Sequence, residues 1–293
     1  MQLAIASGKG GVGKSTITAS ILYLLGRDLV AVDADAEAPN LGLLLGVREW
    51  KEEKEHFGAK VAVIDQESCV RCGICYERCP YGVIKLVDGN YIVNELTCEG
   101  CNVCGLVCPV PRTIKLEERR SGVIRMAETP YGFPLVSAQL DVGRPESGKL
   151  VTEEKEWARR IMEERGLTHM IVDSAAGIGC QVIASIGGAD ATVLIAEPTP
   201  SSLSDVMRAY KVVQHFREPA YLIINKADIN PGFRKLHEWA KREGIPVIGE
   251  VPYDPAVPRS MILMRPMVEA FPDSPASRAI RRVADMIGEI LEG

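Results

Sequence analysis

Residues 8 to 15 read Gly8-Lys9-Gly10-Gly11-Val12-Gly13-Lys14-Ser15, followed by Thr16. The stretch fits G-x4-G-K-[S/T]. A short apolar run, Leu3 to Ala6, precedes it, and a helical pattern carrying Ile17, Ile21, Leu22, Leu24 and Leu25 follows. That is the context the pattern requires. A strand that feeds a glycine-rich turn and then a helix lets consecutive backbone N–H groups curl around phosphate oxygens. The helix N-terminus adds its dipole. Lys14 is expected to pair with β- and γ-phosphates, and the Ser15 hydroxyl to ligate Mg. The plain alternative, a glycine turn without a ligand, leaves the rest of the pattern unexplained.

The same alternation continues outward. Leu29 to Val32, Met170 to Val172, Ala191 to Ile195, Leu222 to Ile224 and Val247 to Ile248 are further strand cores. They are continuous apolar runs, as expected when both sheet faces are covered. Helical patterns lie between them: Leu203, Val206, Met207 and Tyr210 recur at i, i+3, i+4, i+7, behind Thr199 as cap and Pro200 as first helical residue. The expected fold is α/β, a mostly parallel sheet flanked by helices. At 293 residues the chain has room for about two domains.

Composition removes several classes. Hydrophobic residues make up 46% and charged residues 25%, which excludes a disordered or collagen-like chain. With 34 Lys plus Arg against 39 Asp plus Glu the net charge is -5, so no nucleic-acid partner is expected. No apolar run approaches the roughly 20 residues of a membrane span. The C-terminal pattern Ile280, Val283, Ala284, Ile287, Leu291 ends among acidic residues. Anionic lipid would repel that end, so the pattern reads as a helix packed on the sheet, with no membrane partner. The absence of a signal-peptide pattern points to the cytoplasm, where nine Cys serve as metal ligands or catalytic groups more readily than as disulfides.

Eight of those Cys fall in the middle of the chain as a repeat. Cys69, Cys72, Cys75 and Cys79 recur as Cys98, Cys101, Cys104 and Cys108, shifted by 29, and Ile84-Lys85-Leu86 recurs as Ile114-Lys115-Leu116, shifted by 30. Each set reads C-x2-C-x2-C-x3-C-P, the ferredoxin run whose first three Cys bind one cluster and whose fourth binds the other. One [4Fe-4S] cluster would use Cys69, Cys72, Cys75 and Cys108, and the second Cys98, Cys101, Cys104 and Cys79. Structural zinc also uses C-x2-C pairs, but tetrahedral zinc needs neither the third Cys nor the Pro. The segment resembles a two-[4Fe-4S] ferredoxin. It suggests an insert, residues 58–118, within a P-loop domain made of residues 1–57 and 119–293. The chain would enter and leave it through polar stretches near 56–59 and 117–122.

The second lysine, Lys9, makes Lys-Gly-Gly-Val-Gly-Lys-Ser-Thr. This resembles the deviant Walker A motif of the MinD/ParA ATPases, a group that includes the nitrogenase iron protein and the Mrp-type iron-sulfur carriers. The resemblance implies that Lys9 reaches the partner's phosphates in a nucleotide-dependent dimer. Ala31-Val32-Asp33-Ala34-Asp35 is similar to switch I, which implies that Asp35 positions or deprotonates the attacking water and that Asp33 supports the Mg shell. Ile171-Val172-Asp173-Ser174-Ala175-Ala176-Gly177 is similar to Walker B and switch II, with Asp173 on a Mg-bound water. Asn225 and Lys226, and the loop around Pro252, resemble the adenine-side contacts. From the residues alone, an Asp at the C-terminal end of a parallel strand points into the ligand crevice; a turn or a helix cap is the alternative. Cys180 follows switch II and reads as a small buried residue in preference to a bridging cluster ligand.

These resemblances imply ATP/ADP, Mg and two [4Fe-4S] clusters as cofactors. They imply an ATPase whose dimer switch controls electron transfer to a redox client. The alternative is an ATP-gated carrier or assembly factor for clusters or metallocofactors. A MinD-like positioning ATPase is a third reading, disfavoured by the acidic tail.

Overall fold

A computed structural model describes residues 1–143 and 147–293. The chain divides into two compact units, one of Met1–Lys54, Ile124–Gln139 and Ser147–Gly293, the other of Glu55–Val123 with Leu140–Glu146. In chain order the elements begin β1 (Gln2–Ser7), α1 (Lys14–Leu25), β2 (Leu29–Ala34) and α2 (Leu41–Leu44). The strand β3 (Glu52–Ile64) leads to α3 (Ile74–Arg78), β4 (Ile84–Val87), β5 (Asn90–Val93) and α4 (Val103–Val107). Then come β6 (Ile114–Glu128), β7 (Pro134–Leu140), α5 (Ser147–Arg165), β8 (His169–Ala176) and α6 (Cys180–Ile186). The remainder is β9 (Ala191–Ala196), α7 (Pro200–Phe216), β10 (Ala220–Asn225), α8 (Lys235–Glu243), β11 (Val247–Val251), α9 (Ala256–Ile262), α10 (Met267–Ala270) and α11 (Pro275–Glu292).

The sheet order is β11-β10-β9-β1-β8-β2-β7-β6-β3. The pairs from β11 through β7 are parallel. All six apolar runs expected as strands are strands, and their continuity has the expected cause. Leu3 and Ile5 join a core with Ile17, Ile21 and Leu22 of α1 and Ile280, Val283 and Ile287 of α11. Ala4 and Ala6, one step out of phase, join the opposite core with Val206, Ala209 and Val213 of α7. A strand sandwiched in this way shows no polar alternation. Thr199 caps α7 as read, its side chain accepting from the Ser202 N–H, with Pro200 in the first turn.

The polar stretches near 56–59 and 117–122 are not loops. They lie inside the long strands β3 and β6, each of which has residues in both units. Their charged, exposed segments hid them from a reading based on apolar runs.

In the second unit, β4 and β5 form an antiparallel hairpin, Ile84 opposite Val93. Its core contains Ala62, Ile64, Cys75, Val83, Ile84, Cys104 and Ile114, with Cys69, Cys79, Cys98 and Cys108 packed around them. No two of the nine cysteines are joined in a disulfide. Among the described residues no helix is long and apolar enough to cross a membrane.

Candidate nucleotide site and cysteine cavities

The turn after β1 opens a cleft of 640 Å³ lined by Lys9, Gly10, Gly11, Val12, Gly13, Lys14, Ser15 and Thr16. Asp35, Asn225, Lys226, Pro252 and Tyr253 line it as well. Gly8 stands at its edge, where a Cβ would run into the backbone of Asp205, so only glycine lets α7 come this close. Gly13 has φ of 90°, and its Cβ would strike the Asn225 Nδ2. That amide donates to the Val12 carbonyl at 2.6 Å, and Lys226 Nζ donates to the Gly11 carbonyl at 2.9 Å. Asn225 and Lys226 therefore brace the loop as well as border the cleft. Gly13→Ala would add a left-handed backbone penalty of about 1–2 kcal/mol to a collision. A lowered unfolding temperature and weakened ATP binding, read by calorimetry, are the expected outcome.

Behind the loop sits a buried group of charges. Lys14 Nζ lies 2.9 Å from Asp173 Oδ1 and 3.3 Å from the Ser15 hydroxyl. The Thr18 hydroxyl donates to the same Asp173 oxygen at 2.8 Å. Asp33 and Asp173 are register partners on β2 and β8. The Leu41 N–H donates to Asp33 Oδ2 at 2.8 Å, but Asp33 Oδ1 and Asp173 Oδ2 are buried without a hydrogen-bond partner. Burial, then the neighbouring Asp173 carboxylate, pushes the Asp33 pKa up to about 8. Two orphaned, buried carboxylate oxygens on neighbouring strands suit a nearby hard divalent cation such as Mg, which would supply the missing positive charge. Asp33 and Asp173 thus stand behind the cleft wall, whereas Asp35 and Ser15 face the cleft. Burial also raises the Asp35 pKa.

Three features went unread in the sequence. Glu197 receives Lys9 Nζ at 2.7 Å and Lys226 Nζ at 3.1 Å. Burial opposes its ionisation, but the two ammonium hydrogen bonds outweigh that and hold it below the usual carboxylate range. The strand-end argument used for Asp33 would have found it, since Glu197 directly follows β9. The apolar side of the cleft, Leu43, Leu44, Val257 and Met261, carries no motif.

The third is Glu154 on α5. It is fully buried and neither carboxylate oxygen has a hydrogen-bond partner. Burial and the Asp33 carboxylate push its pKa well above 4.5, against weaker help from Lys155. Above about pH 4.5 the folded chain keeps a proton that the unfolded chain releases. Stability therefore falls as pH rises, by at most about 1.4 kcal/mol per pH unit, until the folded carboxyl ionises. Glu154→Gln removes this dependence. Between about pH 5 and pH 8 its unfolding temperature should decline less steeply than the wild type's. The next residue, Lys155, donates to the Ala184, Ser185 and Gly187 carbonyls at 2.7, 3.0 and 2.8 Å and caps the end of α6.

In the second unit the eight cysteines border two separate cavities. Cys69, Cys72, Cys75 and Cys108 line one. Cys98, Cys101, Cys104 and Cys79 line the other. Each cavity draws three thiols from one run and one from the other run. Burial raises the thiol pKa of Cys75 and Cys104, one in each cavity. Among the described residues no three His, Cys, Asp or Glu side chains are placed to hold a single metal ion. Cys180 corrects an expectation: it is exposed at the first residue of α6, while Gln181 and Val182 beside it turn inward and are buried.

Comparison with known proteins agrees with the cleft. A nucleotide-binding domain model described as CobQ/CobB/MinD/ParA matches residues 3–266. An uncharacterized protein of Methanocaldococcus jannaschii is 31% identical, covering 99% of this chain and 98% of its own. An iron-sulfur cluster carrier protein of Pyrococcus abyssi is 26% identical, covering 98% and 85%. Among solved structures, the septum site-determining protein MinD of Pyrococcus horikoshii, complexed with Mg-ADP, superposes with a TM-score of 0.60 at 17% identity, covering 99% and 96%. It shares the fold: an α/β P-loop architecture with a large, mostly parallel sheet between helices. With the family model spanning most of its length and the phosphate loop built as that family requires, the chain belongs to the CobQ/CobB/MinD/ParA nucleotide-binding family.

Proposed function

We propose that the chain is a Mg-dependent ATPase that dimerises on nucleotide and carries a two-cluster ferredoxin module, and that its nucleotide state controls electron transfer to a client protein. The observation that carries this reading is the pair of cysteine-ringed cavities in the same polypeptide as the phosphate cleft. Two [4Fe-4S] clusters, when bound, supply one-electron storage. A small unit whose core includes Cys75 and Cys104, with four more cysteines packed against it, is suited to such a staple, since a short chain buries too little apolar surface to hold itself together.

At the cleft, Lys14 and the loop N–H groups neutralise charge on the β- and γ-phosphates. Ser15 would hold Mg, with Asp33 and Asp173 supporting its shell. Asp35, facing the cleft, orients the attacking water. Lys9 would leave Glu197 for the partner subunit's phosphates. Asn225, Lys226 and Pro252 border the base. The chain runs from Asp35 through α2 directly into β3, so a shift at Asp35 has a short covalent route to the strand that leads to Cys69.

A second reading, an ATP-gated carrier of clusters or metallocofactors, is favoured by the two Pyrococcus relatives named as iron-sulfur cluster carrier proteins. Mixing dithionite-reduced holoprotein with cytochrome c and, separately, with an apo-ferredoxin separates the two. Reoxidation whose rate depends on ATP, with iron retained, is expected. Iron and sulfide appearing in the apo-ferredoxin would carry the second reading instead. Rates of both processes indifferent to ATP would overturn the coupling.

A further inference from the structure

The two halves of the cysteine module are not chemically equal. Their backbones follow the repeat: the Asn94 N–H donates to the Val83 carbonyl at 2.8 Å, and the Asp65 N–H donates to the Thr113 carbonyl at 2.8 Å. Asp65 and Asn94 are 29 residues apart, and Val83 and Thr113 are 30 apart, as the repeat shift demands beyond Cys108. Val83 and Thr113 are therefore equivalent positions, each just before the strand that closes its half.

Each borders its own cavity. Val83 lies in the one lined by Cys98, Cys101, Cys104 and Cys79, and Thr113 in the one lined by Cys69, Cys72, Cys75 and Cys108. The two side chains have nearly the same shape, with a hydroxyl on Thr113 in place of a methyl. That hydroxyl is buried, Thr113 being 2% exposed, and it has no hydrogen-bond partner in the chain. Leaving a buried hydroxyl unpaired costs about 1–3 kcal/mol. A valine would fit without that cost, as the other half shows. The acceptor Thr113 lacks is what thiolate and sulfide sulfurs in this cavity would provide.

The remaining differences between the halves are divided, and the buried hydroxyl of Thr113 is the one that sits without a partner in the chain. The Tyr91 hydroxyl borders the first cavity beside Gly73, and its counterpart in the second is Ala62. Glu99 places an exposed carboxylate at the second cavity, where the first has Val70. Asn102, counterpart of Gly73, and Tyr81, whose counterpart Val110 does not border the first cavity, are polar groups at the second cavity that work in the opposite sense. Hydrogen bonds to cluster sulfurs favour the reduced, more negative state, and a nearby carboxylate disfavours it.

We propose that the Thr113 hydroxyl hydrogen-bonds the cluster held by Cys69, Cys72, Cys75 and Cys108, making it the higher-potential member of the pair. This rests on the two-cluster reading above. It gives the module a built-in direction: at equilibrium a single electron resides on the Thr113 side.

The test is an anaerobic dithionite titration of the full-length holoprotein followed by EPR, after iron and sulfide have been counted. Wild-type protein should show two separated one-electron midpoints. Thr113→Val should lower the upper midpoint alone. At fixed ambient potential the reduced-to-oxidised ratio of that cluster falls about tenfold, which is about 59 mV for a one-electron couple. Thr113→Ser should restore it. Val83→Thr, at the equivalent position, should raise the lower midpoint and narrow the gap. A purely structural role for Thr113 predicts that cluster content changes and that Val83→Thr does nothing. Unmoved midpoints in Thr113→Val with full iron content, or movement of the lower one, would overturn the proposal. So would coincident wild-type midpoints that separate in Thr113→Val, the mark of an equal donor from Asn102. A wild-type protein without cluster iron and sulfide would sink the two-cluster reading itself, and the metal count reports that before any titration begins.

Discussion

Lys14→Ala is expected to suppress ATP hydrolysis by at least about 10²–10³-fold, the loss typical of removing one group that stabilises transition-state charge. Phosphoryl transfer leaves little for a protein to do besides positioning and neutralising charge, and the role proposed for Lys14 comprises both. The same change should destabilise the fold. Asp173 is wholly buried, and Lys14 is its charge partner at 2.9 Å. Breaking one side of such a pair costs about 3–5 kcal/mol, because the other charge stays buried. The two effects can be pulled apart. Lys14→Ala combined with Asp173→Asn removes the stranded charge, so denaturant unfolding should recover most of the loss while phosphate release stays absent. A Lys14→Ala protein that hydrolyses ATP at the wild-type rate would mean that the chemistry lies elsewhere.

The second large effect concerns the fourth cysteine of each run. Cys108→Ala should abolish the cluster of the first run, Cys69, Cys72 and Cys75, and leave its own run loaded. Cys79→Ala should do the converse. Each variant should lose about half of the bound iron and acid-labile sulfide, and the surviving EPR signals of the two should differ. The crossed arrangement is visible in the cavities, each of which includes one cysteine of the other run. Retention of the first-run cluster in Cys108→Ala would refute the exchange.

What could be read from the chain follows from where chemistry leaves a periodic trace. The phosphate loop needs glycines at fixed places, and Gly13 shows why: its φ is 90° and Asn225 occupies the room a side chain would need. The sheet interior is continuous and apolar, so β1, β2 and β8 to β11 stand out. The strands β3 and β6 do not, because solvent reaches much of their length and residues such as Glu53 and Arg125 meet as an ion pair at 2.8 Å there. Glu197, directly after β9, was legible from its place at a strand end, but Glu154 was not. A lone carboxylate has no spacing, and its importance comes from neighbours that only folding supplies. Cys180 was misjudged because free cysteine is commonly buried, whereas this one starts α6 on its outer side, with Gln181 and Val182 taking the buried positions.

Glu197 carries a consequence for affinity. It already satisfies two ammonium groups at the mouth of the cleft, so an arriving triphosphate meets cations that are occupied. The nucleotide must compete with a resident anion before Lys9 becomes available to it or to a second molecule. Glu197→Gln is therefore expected to tighten ATP binding by the isolated chain, read by titration calorimetry, even where no dimer forms.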